Sequence, residues 1–147
     1  MKIFTKIVAA EEEELVSVGE SVSPEEEWSV IEWPGLDTDK VAMLHCLLTG
    51  DELSSAFILY DPVYVADAGP ILLRMAGTVQ ERLAEFAELA DDALKPFAEE
   101  LAATEAFEVE ACDPEDVHSL LLDLAELARL AESQGQVLFI WMLPSPA

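Results

Sequence analysis

Histidine and cysteine are the side chains best suited to acid/base and nucleophilic work near neutral pH. They stand side by side once in this chain, at His45-Cys46 within LDTDKVAMLHCLLTG (residues 36–50). Two carboxylates, Asp37 and Asp39, precede the pair, and two tyrosines, Tyr60 and Tyr64, follow it. Such a set could serve a hydrolase- or transferase-like enzyme. His45 would be the acid/base group, Asp37 or Asp39 its orienter, and Tyr60 or Tyr64 a nearby polar contributor. A His45–Cys46 nucleophile–base pair is excluded if the segment is helical, because neighbouring residues on a helix diverge by about 100°. Structural zinc takes about four sulfur or nitrogen ligands. That would require Cys46, Cys112, His45 and His118 to converge from distant positions without any CxxC pair. The expectation is two free thiols, no metal and no cofactor.

Other reaction centres are not written in the chain. There is no G-x-G-x-x-G, P-loop, G-x-S-x-G or H-E-x-x-H. The acids between residues 105 and 116 lack the D-x-D-x-D-G order of a calcium loop. Carboxylates in such number contain pairs by chance, so a solvated face accounts for them better than glycosidase-like chemistry does.

The segment that carries His45 has the marks of a helix. Asp37 is a capping residue, Gly50 a stop, and Val41, Leu44, His45 and Leu48 share one face at spacings of three and four. Cys46 points elsewhere. His45 thus occupies a slot in an otherwise apolar stripe, which predicts a packed, hydrogen-bonded histidine in a mainly structural helix.

The flanking chain supplies the rest. Residues 2–9 alternate and are β-branched, predicting a strand, and an edge strand because two lysines share a face. The Glu11–Glu14 run suits the first turn of a short helix over residues 10–16. Ser23-Pro24-Glu25-Glu26 caps a short helix over 24–31, although WSVIEW could equally form a strand. Pro34-Gly35 breaks the chain. Residues 57–60 and 63–66 read as short extended pieces, and residues 68–76 as a helix with Pro70 in its first turn. Thr78-Val79-Gln80-Glu81 forms a second capping box before the stripe Leu83, Phe86 and Ala90, and Leu94, Phe97 and Leu101 continue past the break at Pro96. Asp113-Pro114 opens the best helix, whose buried stripe is Val117, Leu120, Leu121, Leu124, Leu127, Ala128 and Ala131. Gly135 ends it, and residues 137–143, VLFIWML, have the continuous apolar character of a central strand.

Composition bounds the function class. The chain has 147 residues, the size of one domain spanning residues 1–147, and 52% of them are hydrophobic. Thirty-one acids against seven Lys and Arg give a formal charge of −24. No basic patch exists to neutralise phosphates, so direct binding of nucleic acid or of an anionic membrane is not expected. A field of this sign steers cationic proteins instead. No window reaches the ~20 apolar residues of a membrane span, and acids replace the apolar core of a signal peptide after MKIFTKIVAA. The chain reads as cytoplasmic.

Asp39-Lys40 followed by Leu44-His45-Cys46-Leu47-Leu48-Thr49-Gly50 resembles the signature of the YfbM-like family, small bacterial proteins with a domain of unknown function. Tyr64-Val65 before the middle helices, and the last helix passing through Gly135 into LFIW (138–141), extend the resemblance over nearly the whole chain. Val41 stands where the family usually has an aromatic. The resemblance implies an α+β fold and brings no activity, cofactor or catalytic residue. Together the readings predict one compact α+β domain, with a small sheet that includes the N- and C-terminal strands, covered by about five helices. The function they favour is a non-catalytic acidic domain that binds a cationic partner, with the His45 enzyme as the alternative.

Overall fold

The computed structural model describes residues 2–21, 23–33, 35–67, 69–89, 91–104, 107 and 113–145. Ala90 and Cys112 lie outside the described residues, as do all three acids between 105 and 112.

Apolar runs at the two ends of the chain make the centre of the molecule. Strands β1 (Lys2–Ala10) and β5 (Val137–Ser145) pair antiparallel along their full length, from Lys2 opposite Ser145 to Ala10 opposite Val137. Strands β2 (Ser29–Glu32), β3 (Tyr64–Val65) and β4 (Ile71–Arg74) complete an antiparallel sheet of order β2-β1-β5-β4-β3. Strand β5 is central, as its unbroken apolar character predicts. Strand β1 is not an edge. It pairs with β2 through Lys6–Ala9, and beyond that the N–H groups of Trp33 and Gly35 donate to the carbonyls of Thr5 and Ile3. Lys6 is tolerated inside because its ammonium lies over the Trp141 ring, 5.3 Å from the centroid, and reaches Glu25 at 2.7 Å.

Side-chain alternation divides the core into two layers. Ile7, Ala9, Leu73, Leu138, Ile140 and Met142 face helices α2 (Thr38–Thr49), α4 (Gly77–Ala87), α5 (Lys95–Ala102) and α6 (Pro114–Gln134). Val8, Ala10, Leu72, Phe139 and Trp141 face the other way, against helix α1 (Leu15–Glu20) and Trp28. The remaining helix, α3 (Leu53–Leu59), lies beside α2. The architecture is the expected α+β one. Among the described residues no single helix is long and apolar enough to cross a membrane.

Several local expectations are corrected. The helix foreseen over 24–31 is only a 3-10 turn, Pro24–Glu26, and the strand alternative for WSVIEW holds as β2. Residues 57–60 are not extended. They finish α3, which places Ala56 and Tyr60, four residues apart, on one buried side. Residues 68–76 hold strand β4 instead of a helix, because Leu72 and Leu73 are each wholly buried on opposite sheet faces. The capping box at Thr78 is not made: α4 starts at Gly77 with no side-chain cap bond. Helix α6 follows its reading closely. Asp113 accepts from the Glu115 N–H at 2.9 Å, Gly135 closes the helix in the left-handed region (φ 68°), and Ala125 joins the predicted stripe while Leu120 is half-buried.

Helix α1 docks on β3 only because Gly19 lacks a side chain. A Cβ there would lie 2.3 Å from Cδ1 of the Tyr64 ring, whose hydroxyl donates to Glu20. In an unobstructed helix, Gly→Ala stabilises by about 0.5–1 kcal/mol. Here Gly19→Ala should destabilise by about 1–3 kcal/mol, because the ring must be displaced. A urea melt that finds the variant more stable than the parent would refute this account of the contact.

Candidate functional site

Helix α2 presents Val41, Leu44, His45 and Leu48 to the core, each at most 4% exposed. Its first turn is tied by Asp37, whose carboxylate accepts from the Lys40 N–H at 3.0 Å. Lys40 is itself buried, with Nζ donating to the Gly35 carbonyl at 2.9 Å and lying 3.7 Å from Asp37. Asp37 therefore holds the start of the helix and does not orient His45. Eight residues at ~1.5 Å rise separate the two by roughly 12 Å along the axis. Asp39 is exposed. Neither carboxylate suggested as the partner of His45 touches it.

The partner is Asp51. Gly50 takes the left-handed conformation (φ 81°) that turns the chain back on the end of α2, and Asp51 then meets His45 Nε2 at 2.7 Å. On the other side of the ring, Nδ1 lies 3.0 Å from the Tyr60 hydroxyl, which also accepts from the Ala76 N–H at 3.3 Å. The rings of His45 and Tyr60 meet edge to face, 5.5 Å between centroids. An ionised Asp51 only accepts, so Nε2 carries a proton. In the neutral ring Nδ1 then accepts from the Tyr60 O–H, whose oxygen accepts from Ala76. Each donor among Asp51, His45, Tyr60 and the Ala76 N–H thus has an acceptor. Burial pushes the Tyr60 hydroxyl up to about 12, which keeps it a neutral donor. The hydrogen bond from His45 holds the Asp51 carboxyl below its ordinary value of 3.8, opposed by slight desolvation and assisted by Thr49.

An Asp–His–Tyr chain can in principle relay a proton. Here His45 is 1% exposed, and both ring nitrogens are engaged by the protein. Two open grooves, of about 610 and 530 Å³, lie along α6. Neither is lined by His45, Tyr60 or Asp51. What the constellation does physically is to join α2, the end of α3 and the segment leading into α4. Tyr64 stands apart, bonded to Glu20, which raises its hydroxyl pKa. Cys46 is a half-buried free thiol, pushed up by burial and by the Asp51 charge, so it is not an activated nucleophile. Among the described residues no group of three or more His, Cys, Asp or Glu could hold a metal ion.

Sequence reasoning missed Asp51 and Gln80. Asp51 had a signal: an acid immediately beyond a helix-ending glycine, less than two turns after the histidine. Gln80 is 4% exposed and uses both ends of its amide to hold the chain where it enters β5. Its Nε2 donates to the Gln136 carbonyl at 2.9 Å, and its Oε1 accepts from the Leu138 N–H at 3.0 Å.

Two outcomes follow for the network. His45→Ala loses packing and two hydrogen bonds and should cost about 2–4 kcal/mol, whereas Cys46→Ala, off the main face, should cost about 1 kcal/mol or less. A His45→Ala protein that melts in urea with the parent would show that the histidine is not structural. The Asp51 carboxyl is more acidic folded than unfolded. Its contribution is therefore present above the unfolded value and is lost as pH falls through the folded one. Parent and Asp51→Asn should thus differ in urea midpoint near neutrality and converge in acid. A gap that stays unchanged however far the pH is lowered would rule out this linkage.

No family model matches the chain, and no curated protein matches it. The chain is similar to the solved structure of a protein of unknown function, YfbM from Escherichia coli. The two are 15% identical, the similarity covers 95% of this chain and 99% of that one, and the TM-score is 0.46. That structure bears the name of the family which the Leu44–Gly50 segment resembles.

Proposed function

We propose that the protein is a non-catalytic cytoplasmic binding domain whose acidic surface engages a cationic protein, as an inhibitor, an immunity-type protein or a nucleic-acid mimic would. The observation that carries this reading is the charge of −24, which the few bases do little to soften. Lys6, Lys40, Arg74, Arg82 and Arg129 each already lie within reach of a carboxylate, at 2.7 to 3.7 Å. Crowding is felt locally: the Glu11 carboxyl is raised above its ordinary value of 4.5, first by a hydrogen bond that its protonated form donates to Glu13 and then by the charges of Glu13 and Glu14. A cationic surface relieves such repulsion and speeds encounter.

The competing enzyme reading draws on the Asp51–His45 contact. It needs a reactant within hydrogen-bond reach of His45, and both ring nitrogens are already satisfied. The binding reading is the better supported of the two.

Affinity capture from bacterial cytosol, with the full chain as bait, tests it. A basic protein should be retained at low salt and released as ionic strength rises past ~0.15 M. No retained protein, or retention indifferent to salt, would count against the proposal.

A further inference from the structure

Residues 53–65 leave apolar side chains in water to an extent found nowhere else in the described chain. Leu53 (40%), Phe57 (37%), Ile58 (75%), Leu59 (55%), Val63 (42%) and Val65 (64%) are exposed, and among the described residues only Phe4, Val16 and Leu89 are other large hydrophobics of that kind. Within α3 only Ala56 is buried, with Tyr60 just after it. Ile58 lies two positions from each, about 200° around the helix, and so points away from the protein. An isolated helix of this length is unstable in water. What holds α3 is its contact with α2 and the anchoring of Tyr60 to His45 and Ala76. The exposed side of α3 contributes nothing to the fold that a polar side would not.

The charge around this face is of one sign. Asp51, Glu52, Asp61 and Asp67 are all exposed, and no Lys or Arg occurs from Val41 to Leu73. Arg82 reaches the end of α2, where Nε donates to the Leu48 carbonyl, but it is paired with Glu85. A second copy of the chain would bring the same carboxylates against these, and an anionic lipid surface would be repelled in the same way. An apolar face bordered by Lys or Arg complements both the hydrophobic side chains and their acidic border.

We propose that residues 53–65 form the docking face for the cationic partner, and that the partner's docking element is an amphipathic segment with an apolar stripe flanked by Lys or Arg. This rests on the binding function above and assigns it a place. Ile58 and Leu59 form the centre of the contact, and Glu52, Asp61 and Asp67 supply its charged rim.

Fluorescence anisotropy of the full chain with two synthetic peptides tests the assignment: an amphipathic Leu/Lys helix, and a Ser/Lys peptide with the same number of lysines. The parent should bind the Leu/Lys peptide at least about tenfold more tightly. Ile58→Ser/Leu59→Ser should abolish that preference, and Val16→Ser, which removes an exposed hydrophobic elsewhere, should leave it intact. Both altered side chains are exposed, and circular dichroism will verify that the double variant is folded. Equal binding of the two peptides, or a preference that survives the double substitution, would remove this face and leave the cationic-partner reading standing. Failure to bind either peptide would remove that reading as well. Dimerisation of the parent, or binding to zwitterionic vesicles, abolished by Ile58→Ser/Leu59→Ser would assign the face to a second copy or to a membrane and overturn the proposal.

Discussion

The antiparallel pairing of β1 with β5 is the constraint from which the rest of the structure follows. Ile7, Val8, Ala9 and Ala10 on one strand and Leu138, Phe139, Ile140 and Trp141 on the other are each at most 2% exposed, so consecutive residues are buried on opposite faces. A sheet whose centre is apolar on both sides must be covered on both sides. Helices α2, α4, α5 and α6 supply one cover, and α1 with Trp28 supplies the thinner one. Each large side chain removed from water contributes ~1.5–3 kcal/mol, so the covers are set by the strands.

The loops that join these layers are tied by hydrogen bonds from buried polar side chains. Thr5 donates to the Leu36 carbonyl at 2.6 Å, Lys40 to that of Gly35, Gln80 spans Gln136 and Leu138, and Trp141 donates to Ser21 at 3.0 Å. His45 belongs to this set. A buried polar group is costly alone and neutral or favourable when paired, so such ties specify one loop path over others. They also explain why a histidine can occupy an apolar stripe: it is the one side chain there that can bridge a phenol and a carboxylate at once.

The sequence made legible what local chemistry decides alone. Helices α2 and α6 carry a capping aspartate, a buried stripe and a left-handed glycine, and each begins and ends near where those residues place it. Strand β5 was equally plain. Legibility failed where burial decides. The run ILLR at β4 is too short for period to speak, and only its position between β3 and β5 makes it a strand. The lysines of β1 suggested an edge because sequence does not reveal that a tryptophan from β5 lies under Lys6. At the candidate site the histidine and its packed role were readable from Val41, Leu44 and Leu48, but its partner was sought on the wrong side. Helical reach makes acids before a helix look near, yet the reversal at Gly50 brings the acid after it into contact.

The same division of labour bears on the charge. Stability rests on the two-sided sheet and on the buried ties and helix caps, which use a handful of carboxylates, Asp37, Asp51 and Asp113 among them, out of 31 acids. The exposed ion pairs, Arg129 with Glu126 and Arg82 with Glu85, span single helix turns and are of the kind worth ~0.3–0.5 kcal/mol each. Removing most surface acids would therefore relieve repulsion and leave the core untouched. A sequence that keeps such a surplus, and keeps an apolar helix face uncovered beside it, bears a cost in self-repulsion and in exposed hydrophobic area that its fold does not require. Both features become useful in the same circumstance, when a surface that is at once basic and apolar comes into contact.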